Sequence, residues 1–222
     1  VDDFDADLSD WDVSNITNMS FLFNSCSTFK NGGSPNITGW DVSNVTNMRY
    51  MFSATPFNHP IGNWDVSSVT RMDGVFNSTK CFNQDIGAWD VSNATTMYRM
   101  FDSIYNHPSG FNNGGSSSIS GWDTSSVTDF EAMFRYNRHF NQPIGSWDVS
   151  SATTMRIMFQ GASFNQPIGD WNTSSLTNIQ SMFDSANGFN QSLAGWDVSN
   201  ITSAGYFTVS YTHLRAHETL IY

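Results

Sequence analysis

The chain is poor in lysine, glutamate and cysteine. Its 222 residues hold two Lys (Lys30, Lys80), two Glu (Glu131, Glu218) and two Cys (Cys26, Cys81). Scarce lysine and a formal net charge of −11 exclude a nucleic-acid binder, because a phosphate backbone demands a basic surface. The cysteines stand at different repeat positions, about two repeats (roughly 9–10 Å) apart, and bridging needs Cα atoms within about 7 Å, so free thiols are expected, with pairing between molecules as the alternative. No apolar run approaches the roughly 20 residues of a membrane span, so no transmembrane segment is expected in this stretch. The stretch does not begin with Met. The chain opens "VDDFDADLSDW", with Phe4 and Leu8 set before Trp11 as Phe and Ile are set before later Trp. This reads as a fragment that starts inside a repeat.

Aromatic residues are abundant: 18 Phe, 8 Trp and 7 Tyr, which excludes a disordered chain. All eight Trp occupy one position of one motif, seen as "WDVSNITNM" at Trp11 and "WDVSNVTNM" at Trp40, with looser copies from Trp64, Trp89, Trp122, Trp147, Trp171 and Trp196. Successive Trp are 29, 24, 25, 33, 25, 24 and 25 residues apart. Repeats of this length are single units that bury their apolar face on a neighbour. The longer gaps carry Gly- and Ser-rich insertions, "FKNGGSPNI" and "FNNGGSSSI", which mark an exposed corner.

Numbered from Trp, apolar residues fall at −3, +2, +5, +8, +11 and +12, with Met at most +8 positions and Phe at +12. The spacing of two from Trp to +2 predicts a short strand. The spacing of three and four from +5 to +12 predicts a helical turn, α or 3-10. The expected fold class is a repeat solenoid of about eight rungs, with short parallel β-strands on one face and helical turns on the other.

Two polar columns are invariant within the chain. Position +3 is Ser14, Ser43, Ser67, Ser92, Ser125, Ser150, Ser174 and Ser199. Position +6 is Thr17, Thr46, Thr70, Thr95, Thr128, Thr153, Thr177 and Thr202. Small hydroxyls at a bend bond free backbone groups, so these sixteen residues are expected to form a structural ladder. Position +1 is Asp12, Asp41, Asp65, Asp90, Asp123, Asp148 and Asp197, with Asn172 in the remaining rung. An inward Trp sends this column outward, and stacked like charges need relief by local bonds, cations or a basic partner. The seven Asp are therefore the candidate partner contacts, and Asp41, Asp65 and Asp90 the cation candidates, with calcium as the ion. No EF-hand loop or glycine-rich calcium nonapeptide supports that ion.

Catalytic signals are missing. His59, His107 and His139 lie in or near return loops, and Ser and Asp are too frequent to single out a triad. No P-loop or dinucleotide fingerprint is present. No enzyme and no cofactor are expected. Glycosylation sequons, among them Asn15, Asn18, Asn36, Asn44, Asn77, Asn93, Asn172 and Asn200, are expected from a repeat spelled "SN(V/I)T".

The stretch "FNQPIGSWDVSSATTMRIMF" (Phe140–Phe159) resembles the unit of BspA-like leucine-rich-repeat surface proteins, bacterial surface proteins with a repeat of about 26 residues. The resemblance spans roughly residues 4–202 and rests on the joint Trp-Asp-x-Ser, Thr-x-Met and Met-Phe pattern. It implies an irregular leucine-rich-repeat solenoid, an extracellular or cell-surface location, and adhesion through protein or glycan contact. It implies no catalytic residue. Thr124, Thr173 and Asn172 depart from the unit and are expected to mark a local surface difference. The alternatives are a structural spacer with no ligand of its own, or an ice- or mineral-binding array built on the regular Ser, Thr and Asp columns.

The pattern stops after Thr202. "VSYTHLRAHET" (Val209–Thr219) resembles the translation of a transposase-type sequencing adapter, so the expected division is a single repeat domain at 1–207 and a non-native tail at 208–222. Amplification of this region from source DNA tests that reading.

Overall fold

In a computed structural model of the chain, the structure describes residues 4–79, 81–103 and 110–207. The tail reading at 208–222 and His107 lie outside the described residues. The eight repeats stack on one another, and we call them rungs 1 to 8 from Trp11 to Trp196. The N–H of Met19 (+8) donates to the carbonyl of Asn47 (+7 of the next rung) at 2.9 Å. The same bond recurs from Met48 to Arg71, Met72 to Thr96, Met97 to Asp129, Phe130 to Thr154, Met155 to Asn178 and Ile179 to Ser203. Position +7 is thereby a row of parallel bridges from Asn18 through Ser203.

The bridges are isolated, and this corrects the expected architecture. Among the described residues no strand and no α-helix forms. The helices among the described residues are four short 3-10 pieces, Asn31–Gly33, Pro35–Gly39, Asn113–Gly115 and Ser117–Gly121, in or running just past the two insertions. The repeat solenoid of parallel strands on one face and helical turns on the other is not what this chain builds. Each rung is a succession of turns.

The physical reason lies in where the backbone donors go. From Trp to +2 the chain bonds itself: Trp64 N donates to Ile61 O at 3.1 Å, and Val69 N to Val66 O at 2.9 Å. Turns thus close on both sides of the segment, and among the described residues no backbone bond runs from it to a neighbouring rung. From +8 to +14 alternate N–H groups serve the next rung. Tyr50 N reaches Asp73 O (2.8 Å), Phe52 N reaches Val75 O (3.0 Å) and Ala54 N reaches Asn77 O (2.8 Å). The N–H groups between them close turns within the rung, as Met51 N to Met48 O (3.0 Å) and Ser53 N to Tyr50 O (3.3 Å). A helix would consume all of these donors internally and leave none for stacking. Turns of three-residue reach give the same apolar spacing as a helix, so periodicity alone does not separate them.

These turns need a left-handed residue at their third position, the type II pattern. Position +10 meets this in every rung, at Phe21, Tyr50, Arg99, Ala132, Ile157, Ser181 and Tyr206 with φ between 50° and 59°, and at Gly74 with φ 57°. Rung 8 keeps the pattern through Phe207, whose N–H bonds Ala204 O at 3.2 Å. The turns therefore persist five residues beyond Thr202, where the residue pattern ends.

The interior is one continuous apolar cluster. Phe at +12 stacks on the return-loop Phe of its own rung at 3.7–4.2 Å between centroids. Along the stack the +12 rings follow at 5.6–5.9 Å. Tryptophan joins rungs by a bond as well as by packing. Its Nε1 donates to the −3 carbonyl of the preceding rung at 2.9–3.2 Å for Trp40, Trp64, Trp89, Trp122, Trp147, Trp171 and Trp196. The cysteines are unpaired, Cys26 half-buried and Cys81 exposed.

Candidate functional site

The aspartate column lies on the surface. Asp12, Asp41, Asp65, Asp90, Asp123, Asp148 and Asp197 are all exposed. Each Oδ1 accepts the N–H of the Ser two residues on at 2.9–3.1 Å. In five rungs the Ser Oγ donates to the same oxygen at 2.6–2.7 Å. The serine hydroxyl, then the backbone N–H, holds the carboxyls of Asp12, Asp41, Asp65, Asp123 and Asp148 below the ordinary range. At Asp197 the backbone bond to Ser199 leads. Asn172 keeps the geometry, accepting Ser174 N at 3.2 Å.

The threonine column is exposed in all eight rungs. Its N–H groups run along the stack, from Thr46 to Thr17 O through Thr202 to Thr177 O, at 2.8–3.0 Å. Each Oγ1 donates to the same carbonyl at 3.0–3.3 Å. Serine at +3 works differently, bonding within its own rung to Asp. Its carbonyl is clamped by the next Asn at +4: Asn44 Nδ2 to Ser14 O (2.8 Å), Asn93 to Ser67 O (2.8 Å) and Asn200 to Ser174 O (2.7 Å). Three sequon asparagines are thus rung-to-rung clamps.

Among the described residues no group of three or more His, Cys, Asp or Glu is placed to hold a metal. Asp41, Asp65 and Asp90 stand one per rung, each tied to its own serine. His59 Nε2 lies 2.7 Å from Lys30 O, and its ring meets Phe57 edge-on. Thr124 and Thr173 are buried, where a surface difference was expected. Their hydroxyls donate to Asp148 O and Asp197 O at 2.7 and 2.9 Å, which replaces lost valine packing with a bond to the next rung.

Two further columns escaped the residue pattern. Return-loop asparagines form a ladder in which Oδ1 accepts the next rung's Asn N–H at 2.7–3.1 Å, through Asn58, Asn83, Asn112, Asn141, Asn165 and Asn190. The signal was available, since "FN" recurs in the loops. The second lies at +7, +9, +10 and +13, where residue type changes from rung to rung and five arginines gather. Arg135 makes two 2.8 Å bonds to Asp102, which also faces Arg99 at 3.6 Å and accepts Asn77 Nδ2 at 3.3 Å. Burial pushes the Asp102 carboxyl up, against the pull of Arg135. Arg71 pairs with Asp73 (3.0 Å) and Arg156 with Glu131 (2.8 Å). Arg49 rests instead against the Phe21 and Tyr50 rings, at 5.3 and 5.4 Å.

With this geometry in view, the comparisons are brief. The chain matches the family described as "Mycoplasma protein of unknown function, DUF285" over residues 33–114 and 102–217, and it belongs to that family. No curated protein and no solved structure matches it. Among the described residues no helix is long and apolar enough to cross a membrane.

Proposed function

We propose that this family member is a non-enzymatic repeat protein of the cell surface or extracellular space, akin to the BspA-like surface proteins, that binds a protein or glycan partner. The observation that carries this reading is the exposed aspartate row. Serine bonds hold each Oδ1, so a line of pre-oriented carboxylates presents Oδ2 at one per rung. Groups already fixed lose little entropy on contact, and repetition along a stack favours multivalent binding. The test is binding to protein and glycan arrays by this chain and by its D41N/D65N/D90N variant. Lost signals with an unchanged melting temperature support the strip. Unchanged signals remove it, and no saturable signal for either protein returns the chain to a spacer.

A second reading has its own observation. The threonine column is exposed in every rung and held in register by its own hydroxyls. A regular row of this kind suits a crystalline surface such as ice or mineral. Thermal hysteresis of freezing in solutions of the chain decides it, and its absence ends the ice reading.

A further inference from the structure

Of the five arginines at +7, +9, +10 and +13, four face a carboxylate of this chain. Arg71 pairs with Asp73 at 3.0 Å, Arg135 with Asp102 at 2.8 Å and Arg156 with Glu131 at 2.8 Å, and Arg99 lies 3.6 Å from Asp102. Arg49 is the exception. Among the described residues its side chain makes no ion pair, and its Nε is buried with no hydrogen-bond partner. The residue is half-buried, and its guanidinium sits over two stacked rings, Phe21 at 5.3 Å and Tyr50 at 5.4 Å.

The repeat shows what this arginine lacks. Arg49 and Arg156 both occupy +9. Arg156 takes its carboxylate from Glu131, at +9 of the preceding rung. Ser20 stands at that place for Arg49 and brings no charge. At +9 of the following rung, Asp73 is already held by Arg71 and by Thr96 Oγ1 at 3.1 Å. Beside Arg49, Phe21 and Leu22 are exposed, at 46% and 42%.

We propose that Arg49, with Phe21 and Leu22, is a docking point for a protein partner that presents an Asp or Glu side chain next to an apolar one. A guanidinium already fixed on aromatic rings loses little entropy on pairing, and it matches a carboxylate by paired bonds. Apolar and aromatic side chains grouped around an arginine are the composition of a protein contact, whereas a small anion would leave Phe21 and Leu22 uncovered. The site is separate from the aspartate row and takes a group of the opposite charge.

The experiment is a two-dimensional NMR titration of the full chain with the blocked tripeptide acetyl-Leu-Glu-Leu-amide, with its Gln counterpart, and with acetate. Saturable shifts at Phe21, Leu22 and Arg49 are expected with the Glu peptide, at least several-fold tighter than with the Gln peptide or acetate. R49Q should reduce Glu-peptide affinity about tenfold and erase the preference over the Gln peptide. S20E recreates within the chain the pairing that Arg156 makes with Glu131. It should fill the site and weaken the Glu peptide by a similar factor, with no loss in melting temperature. D41N/D65N/D90N should leave Glu-peptide binding unchanged. S20E removes no contact of Arg49, so it decides the matter even where R49Q loosens the fold. No saturable shift with the Glu peptide, equal affinity for the Gln peptide, acetate binding as tight as the Glu peptide, or undiminished binding by S20E would each overturn the proposal. None of these outcomes bears on the aspartate strip, which the triple variant reads separately.

Discussion

The indole Nε1 of Trp89 donates to the carbonyl of Ile61 in the preceding rung at 2.9 Å, and that same carbonyl accepts the backbone N–H of Trp64 at 3.1 Å. One oxygen thus closes a turn in its own rung and ties down the next. Trp89 to Phe keeps most of the apolar area and removes this bond. The expected cost is about 1–2 kcal/mol in urea unfolding. Trp11 is 55% exposed, so Trp11 to Phe should cost far less. Equal costs would show that the indole bond contributes nothing.

Phe101 is wholly buried between Phe76 (5.7 Å), Phe134 (5.6 Å) and Phe111 (3.7 Å). Phe101 to Ala opens a cavity in the middle of the stack and should cost about 3–5 kcal/mol. Calorimetry would show it as a large drop in melting temperature. A drop no greater than that of Trp11 to Phe would contradict the continuous core.

Gly74 sits under the Tyr50 ring, which a Cβ would overlap. The left-handed φ is tolerated by other residues at this position, Arg99 with φ 54° among them. The ring contact is therefore what demands glycine. Gly74 to Ala should destabilise by about 1–3 kcal/mol, and adding Tyr50 to Ala should recover part of that loss. Strictly additive costs in the double-mutant cycle would assign the whole effect to the backbone.

Acid should weaken the fold through the aspartate row. For Asp12, Asp41, Asp65, Asp123, Asp148 and Asp197 the folded carboxyl lies below the ordinary 3.8. Their stabilisation is complete above that value and is lost as pH falls through the lower folded values. Asp102 and Asp129 are shifted up by burial and act in the opposite sense, with stabilisation lost as pH rises above 3.8. Below 3.8 those two are protonated in both states, so the lowered carboxyls alone set the slope and melting temperature should fall on acidification. Replacing Ser43 and Ser67 with Ala should flatten that slope, and an unchanged slope would mean the serine bonds do not set these carboxyls.

Much of this was legible in the residues. The unit, its phase, the inward Trp and Phe and the outward Asp follow from an exact repeat, because a residue recurring at one phase must meet the same surroundings each time. Of the two hydroxyl columns expected to bond backbone groups, the Thr hydroxyls bond backbone carbonyls of the neighbouring rung, whereas the Ser hydroxyls bond the Asp side chains of their own rungs. The chain path within the unit was different. Apolar spacing of three and four fits a helix and a run of type II turns equally, and alternation from Trp to +2 fits a strand and a closed turn equally. Stacking decided between them: every second N–H from +8 to +14 reaches the next rung, so no helix forms, and turns close on both sides of the Trp-to-+2 segment, so no strand ladder runs through it. The Arg135–Asp102 and Arg156–Glu131 pairs also exist only in three dimensions. They join residues about one repeat apart at positions where the repeat does not hold, and a pattern carries information only where it recurs.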